Sequence, residues 1–152
     1  MSALQGNTTL DTSAFIEYLM GSDLGGIVEK YFETLKASEN AYCSLYSITE
    51  IFYVLCRLKG VEYATEKLDL MLSSHIIEVN NTMQMALETG RLKCARAISM
   101  ADCSCIATAK MTGSRAVFAR REKELEKEIK KRSFDVEILL LSELSQEVEH
   151  HD

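Results

Sequence analysis

The chain has 152 residues, 47% apolar and 26% charged, with a net charge of −6 and no proline or tryptophan. That length and balance predict a single globular domain over residues 1–152 and exclude a disordered chain; the acidic total excludes a protein that coats nucleic acid by global charge, though not one with a local basic groove. No apolar run approaches the roughly 20 residues of a membrane helix, the first residues show no evident signal peptide, and the odd count of five cysteines predicts reduced thiols in a cytoplasmic protein.

Thr8-Thr9-Leu10 reads as a short strand ending at Asp11, followed by a helix from Ser13 to Met20 that stops at Gly21. Apolar residues at periods of three and four predict a second helix from Leu24 to Ala37. Ala41 to Leu45 is rich in strand formers, and Ser47 opens a helix that ends at Gly60. A further helix is expected over residues 62–73, a strand over 75–79, and a long helix from Thr82 to Ala97 that Gly90 would kink or divide. Ser99 begins a helix of small residues that ends at Gly113. Ala116 to Phe118 reads as a strand, Arg121 to Lys131 as a charged helix, Val136 to Leu141 as the last strand, and residues 145–152 as a frayed tail. Strands alternating with helices predict an α/β sandwich around a mostly parallel sheet.

Asp11, Glu50 and Asp102 each lie where a strand gives way to a helix or where a helix begins. Taken singly they read as helix caps: Asp is a favoured N-cap residue, and Ser47-Ile-Thr-Glu50 and Ser99-Met-Ala-Asp102 both fit the capping box. Placement points elsewhere. In an open parallel sheet the ends of the strands share one edge, where ligand sites form, so the three acids would converge there. An oxygen-rich pocket of this kind suits Mg²⁺ or Mn²⁺ better than zinc.

The segments Leu-Asp11-Thr-Ser-Ala-Phe, Ser-Ile-Thr-Glu50-Ile and Ser-Met-Ala-Asp102-Cys-Ser-Cys-Ile-Ala-Thr-Ala-Lys resemble the three acidic motifs of PIN-domain proteins. Length and motif order are most similar to VapC-type toxin ribonucleases, over about residues 8–141. The resemblance implies a three-layer sandwich whose five strands run in the order 3-2-1-4-5. It also implies a Mg²⁺ or Mn²⁺ site and endonucleolytic cleavage of RNA. Relatives carry a fourth motif, Thr-x-Asp followed by two residues and an aromatic. Here the segment is Val117-Phe-Ala-Arg120-Arg121-Glu122-Lys-Glu-Leu125, in which Glu122 best fills the acidic position and Arg120 stands in place of the Thr. The same residues also read as the start of a solvated helix of alternating charge.

The chemistry expected is phosphodiester hydrolysis assisted by a cation on Asp11, Asp102 and Glu50, with Glu122 as a fourth catalytic acid. Thr12 and Ser13 are placed to hydrogen-bond Asp11 or substrate. RNA reaching an acidic pocket needs basic residues at its rim: Arg91, Lys93 and Arg96 precede the third motif, and Arg115, Arg120 and Arg121 flank the fourth. Arg120 and Arg121, beside Glu122, are the expected phosphate contacts. The resemblance further implies a cognate antitoxin and a homodimer. Two alternatives stand: an RNA-processing PIN nuclease without an antitoxin, and a decayed PIN-like module that binds RNA or protein without catalysis. A haloacid-dehalogenase-like phosphatase is excluded because Ser13 occupies the position of its second Asp, and the three histidines share no zinc-ligand spacing with the cysteines.

Overall fold

Thr8, Thr9 and Leu10 are fully buried and form the central strand of the molecule, β1 (Thr8–Leu10). The computed structural model describes residues 3–149. On one side β1 pairs with β2 (Ala41–Ser44), which pairs with β3 (Ile77–Asn80); on the other it pairs with β4 (Arg115–Phe118), which pairs with β5 (Ile138–Leu140). The order is therefore β3-β2-β1-β4-β5. Every pairing is parallel, so the expected topology holds and the sheet is parallel throughout.

Parallel strands require crossovers, and helices supply them: α1 (Thr12–Met20), α2 (Asp23–Thr34), α3 (Leu45–Lys59), α4 (Val61–Ser73), α5 (Met83–Ala95), α6 (Met100–Thr112), α7 (Lys123–Lys131) and α8 (Leu141–Glu149). They form two layers. Leu10, Val117 and Leu139 face a core completed by Phe15, Val28, Tyr31, Ile51, Leu55 and Leu141. Ala116, Phe118, Ile138 and Leu140 face the opposite core, with Cys105, Ile106 and Leu125. The alternation along β4 and β5 is that of strands covered on both faces.

Two glycines have mechanical roles. Gly21 takes φ 68° and closes α1 by donating to the carbonyls of Glu17 and Tyr18. Gly25 lets α2 cross α1 in close contact, since a Cβ there would sit 2.1 Å from the Glu17 carbonyl oxygen. Gly90 neither kinks nor divides its helix: α5 runs unbroken from Met83 to Ala95.

Three expectations are corrected. α3 starts at Leu45 with Ser44 as its N-cap, accepting from the Ser47 amide at 3.0 Å. Ser47 is thus a buried first-turn residue and Glu50 belongs to no capping box. Where a frayed tail from 145 was expected, residues 145–149 continue α8, whose Leu141 and Leu144 pack onto the core beside α2; the rest of the expected tail, residues 150–152, lies outside the described residues. Arg96, expected at a basic rim, is buried. Its guanidinium donates to the carbonyls of Glu128, Arg132 and Ser133 at 2.6–3.0 Å, lies 3.7 Å from the Glu128 carboxylate and covers the Phe134 ring. It caps the C-terminal end of α7 and is unavailable to phosphate.

Candidate active site

The parallel sheet brings the C-terminal ends of its strands, and the N-terminal ends of the helices that follow, to one edge. Asp11 lies there directly after β1 and caps α1; its Oδ2 accepts from the Ser13 amide at 3.0 Å and the Ser13 hydroxyl at 2.7 Å. Ser13 Oγ in turn accepts from the Ala119 amide at 3.0 Å. One hydroxyl thereby fixes the Asp11 carboxylate against the chain leaving β4. Asp102 sits in the first turn of α6, whose N-cap Ser99 accepts from the Asp102 amide at 3.1 Å. This half of the predicted capping box is present, and it fixes the first turn from which the Asp102 carboxylate projects. Behind Asp102, Ser104 meets Ser44 at 2.8 Å, which ties α6 to the end of β2.

Asp11 and Asp102 are only 3% and 4% exposed, an unusual burial for carboxylates without a cationic partner. Burial pushes Asp11 up from 3.8 to about 6; the two Ser13 hydrogen bonds oppose it, and Glu50 and Glu122 add repulsion. Asp102 is raised further. Burial is again the first cause, followed by the charges of Asp11 and Glu122, with the Ser99 hydroxyl acting the other way. The four predicted acids are therefore electrostatically joined: Asp11 feels Glu50 and Glu122, and Asp102 feels Asp11 and Glu122.

Glu122 caps α7 without a side-chain cap bond and lies close enough to Asp102 for its carboxylate to raise the Asp102 pKa. Glu50 lies one turn into α3, partly buried, where its Oε2 accepts from the Tyr53 hydroxyl at 3.3 Å. Thr12 is buried beside Asp11, its hydroxyl without a partner.

The basic residues divide. Arg120 pairs with Glu17, and Arg121 with Glu126 at 2.9 Å and with Glu143; both arginines are more than half exposed beside Glu122. Arg115 begins β4 at the opposite edge and donates to the Gln5 carbonyl, so it does not flank the acids. Lys93 donates to the Ile98 carbonyl at 2.6 Å, and Arg91 pairs with Glu88.

The donor set can be tested for a divalent cation. Asp11 Oδ1 is buried and accepts no hydrogen bond, an expensive arrangement unless something else meets that oxygen. All available donors are carboxylate oxygens, which match hard Mg²⁺ or Mn²⁺. Among the described residues no three acids, histidines or cysteines close on one point as a ready-made cage. Mg²⁺ needs none, since it keeps most of its water and takes one or two carboxylates. Asp11 and Asp102 fit that mode.

Sequence reasoning missed Ser44 as the cap of α3 and Ser104 as its contact. Helix-start serines are common enough that only the observed register identifies them.

The PIN-domain family model matches residues 8–127, and the chain belongs to that family. No curated protein sequence matches it. Among solved structures, a DNA-bound VapBC from Salmonella typhimurium is similar at 17% identity and a TM-score of 0.65, over 90% of this chain and 99% of that one. Mycobacterium tuberculosis VapC20, a toxin that cleaves the sarcin-ricin loop, gives 16% identity and 0.61 over 79% and 93%. Neisseria gonorrhoeae FitAcB gives 19% and 0.59 over 89% and 98%. At these identities the likeness is one of fold.

Proposed function

We propose that this protein is a metal-dependent endoribonuclease and the toxin of a toxin–antitoxin pair. The observation that carries the catalytic reading is the Asp11 Oδ1 atom, buried and unpaired within four electrostatically joined carboxylates at the ligand-binding edge of a parallel sheet. Asp11 and Asp102 would hold Mg²⁺ or Mn²⁺, with Glu50 contributing directly or through water. When bound, the cation supplies Lewis-acid polarisation of the phosphoryl group and offsets the charge that develops on it.

The chain's own residues account for the rest. Ser13 fixes one oxygen of Asp11, leaving the other directed at the site. Glu122, exposed and near Asp102, would accept or return a proton at its carboxylate. Arg120 and Arg121 stand at the rim. The Arg121 pairs with Glu126 and Glu143 are solvent-screened surface pairs, so RNA phosphates can exchange for these carboxylates; Arg120 would exchange from Glu17, which is mostly covered.

The partner half of the reading rests on the fold shared with VapBC complexes, and extends to a cognate antitoxin, a homodimer and a cytoplasmic location. No helix among the described residues is long and apolar enough to cross a membrane.

Cleavage of a defined RNA pool with Mg²⁺ or Mn²⁺ tests the enzyme. The protein should cut it and Asp102→Asn should not; equal cutting by both would overturn the assignment. The rival, a binding module without catalysis, draws on the lack of a preformed three-ligand cage. Calorimetric titration with Mn²⁺ separates the two, since absence of binding at millimolar metal would favour the rival.

A further inference from the structure

Helix α3 carries more toward the site than Glu50. Tyr46, Glu50, Tyr53 and Arg57 follow one another at intervals of four, three and four residues, which places them in one line along the helix. The line is exposed where a core stripe would be covered: Tyr46 is 39% and Tyr53 38% accessible, while Ile51 and Leu55 of the same helix face the core. Tyr53 donates to Glu50, and the Arg57 guanidinium lies 4.9 Å from the centre of the Tyr53 ring. Tyr46 is near enough to act electrostatically on the Tyr53 hydroxyl. Arg57 forms no ion pair among the described residues.

Two exposed aromatic rings thus bracket an acid that acts on Asp11, and an arginine without a carboxylate partner continues the line. Half-exposed tyrosines are ordinary on a protein surface; what sets these two apart is their place on either side of Glu50, and the neighbouring site selects what would lie on them. Single-stranded RNA is recognised by unstacking its bases onto aromatic side chains and arginine planes while cations meet its phosphates.

We infer that Tyr46 and Tyr53 are stacking platforms for nucleobases on either side of the phosphodiester presented to the acids, and that Arg57 holds the backbone beyond Tyr53. This rests on the ribonuclease reading and adds to it the feature of substrate that α3 recognises: unpaired bases, read by stacking and tolerant of sequence. Glu50 then acts toward the acid pocket while its two neighbours on the helix position the strand.

The test uses the full chain with Asp11→Asn to prevent cutting. It compares binding of a short single-stranded RNA with binding of the same backbone carrying abasic positions. The Asp11→Asn protein should bind the intact RNA on the order of tenfold or more tightly than the abasic one. Adding Tyr46→Ala or Tyr53→Ala should abolish most of that preference, whereas Tyr53→Phe should keep it. Charge removal at Arg57 should reduce the salt slope and leave the base preference. Circular dichroism and molecular mass are recorded for each variant. A base preference unchanged by both alanine variants, in a protein whose Asp11 form cuts RNA, would overturn the stacking and leave the nuclease standing. Loss of a dimer in the alanine variants would make the face a contact between copies and overturn it as well. No binding of RNA by any form, with no cutting, would overturn both readings.

Discussion

Replacing Asp11 by Asn should make the metal-free protein less sensitive to rising pH, because its acid site is an energetic liability without a cation. Folding raises the Asp11 pKa from 3.8 to about 6. At about 1.4 kcal/mol per tenfold change in proton affinity, ionising this carboxylate costs the folded state about 3 kcal/mol relative to the unfolded chain. A folded-state pKa that is raised on an acid destabilises as pH climbs. The cost is absent below the unfolded value of 3.8, accumulates between 3.8 and 6, and is complete above 6. The Asn side chain still accepts from the Ser13 amide but leaves its NH₂ group unpaired, a constant penalty that drops out of the pH dependence. Removing the Asp11 charge also relieves Asp102, whose raised pKa owes part of its shift to Asp11, and so acts in the same direction. Thermal unfolding in EDTA from pH 4 to pH 7.5 therefore measures the effect directly. The melting temperature of Asp11→Asn relative to the unaltered protein should rise across that range by about 6–12 °C, from about 2–4 °C per kcal/mol for a domain of this size. Mn²⁺ should then stabilise the unaltered protein more at pH 7.5 than at pH 5, and the variant hardly at all. Parallel pH profiles for the two proteins, or equal stabilisation of both by Mn²⁺, would refute the carboxylate cluster.

Ser13→Ala should weaken Mn²⁺ binding on the order of tenfold while leaving the fold intact, because Asp11 loses its hydroxyl donor and the Ala119 amide its acceptor; calorimetric titration would show it. Arg96→Ala should destabilise the protein by about 1–3 kcal/mol in urea unfolding, since the Arg132 and Ser133 carbonyls lose their donor and the Phe134 ring its cover, while Glu128 keeps Lys131. Gly25→Ala should lower stability by more than about 2 kcal/mol through collision with the Glu17 carbonyl. Gly26→Ala, in the same helix with nothing within 4 Å of the added Cβ, should raise it by about 0.5–1 kcal/mol; both are read from melting curves.

Asp11 and Asp102 were legible because each carries two signals, a cap position and a place after or opposite a strand end. Once the strands are known to be parallel, placement decides between those signals. The five strands were legible too, since each is a short run of strand-forming residues bounded by turns or caps. Ser44 was not, because Ser44 and Ser47 both precede apolar helical spacing and only the end of the β2 ladder selects the earlier one. Arg96 read as surface because its partners are carbonyls 32 to 37 residues away, which leave no local pattern. α8 was hidden in an acidic tail: Leu141 is fully buried and Leu144 packs on the core, yet charged neighbours dilute the stripe. Glu122 read two ways in the sequence, as the fourth acid and as the start of a solvated helix; the structure adds that its charge acts on Asp11 and Asp102.

The parallel sheet also sets a schedule for synthesis. β1 pairs with β2 some thirty residues on, but its other neighbour is β4, with Thr8 opposite Arg115. During translation, β1, β2 and β3 and their helices can form while the chain is still being made, because all lie before residue 81. Asp102 and Glu122 arrive afterward, and the Ala119 amide that holds Ser13 and Asp11 in place comes with β4. A nascent chain on the ribosome therefore carries Asp11 and Glu50 without the rest of their cluster. The acid site comes into being only when the chain through Glu122 has left the exit tunnel.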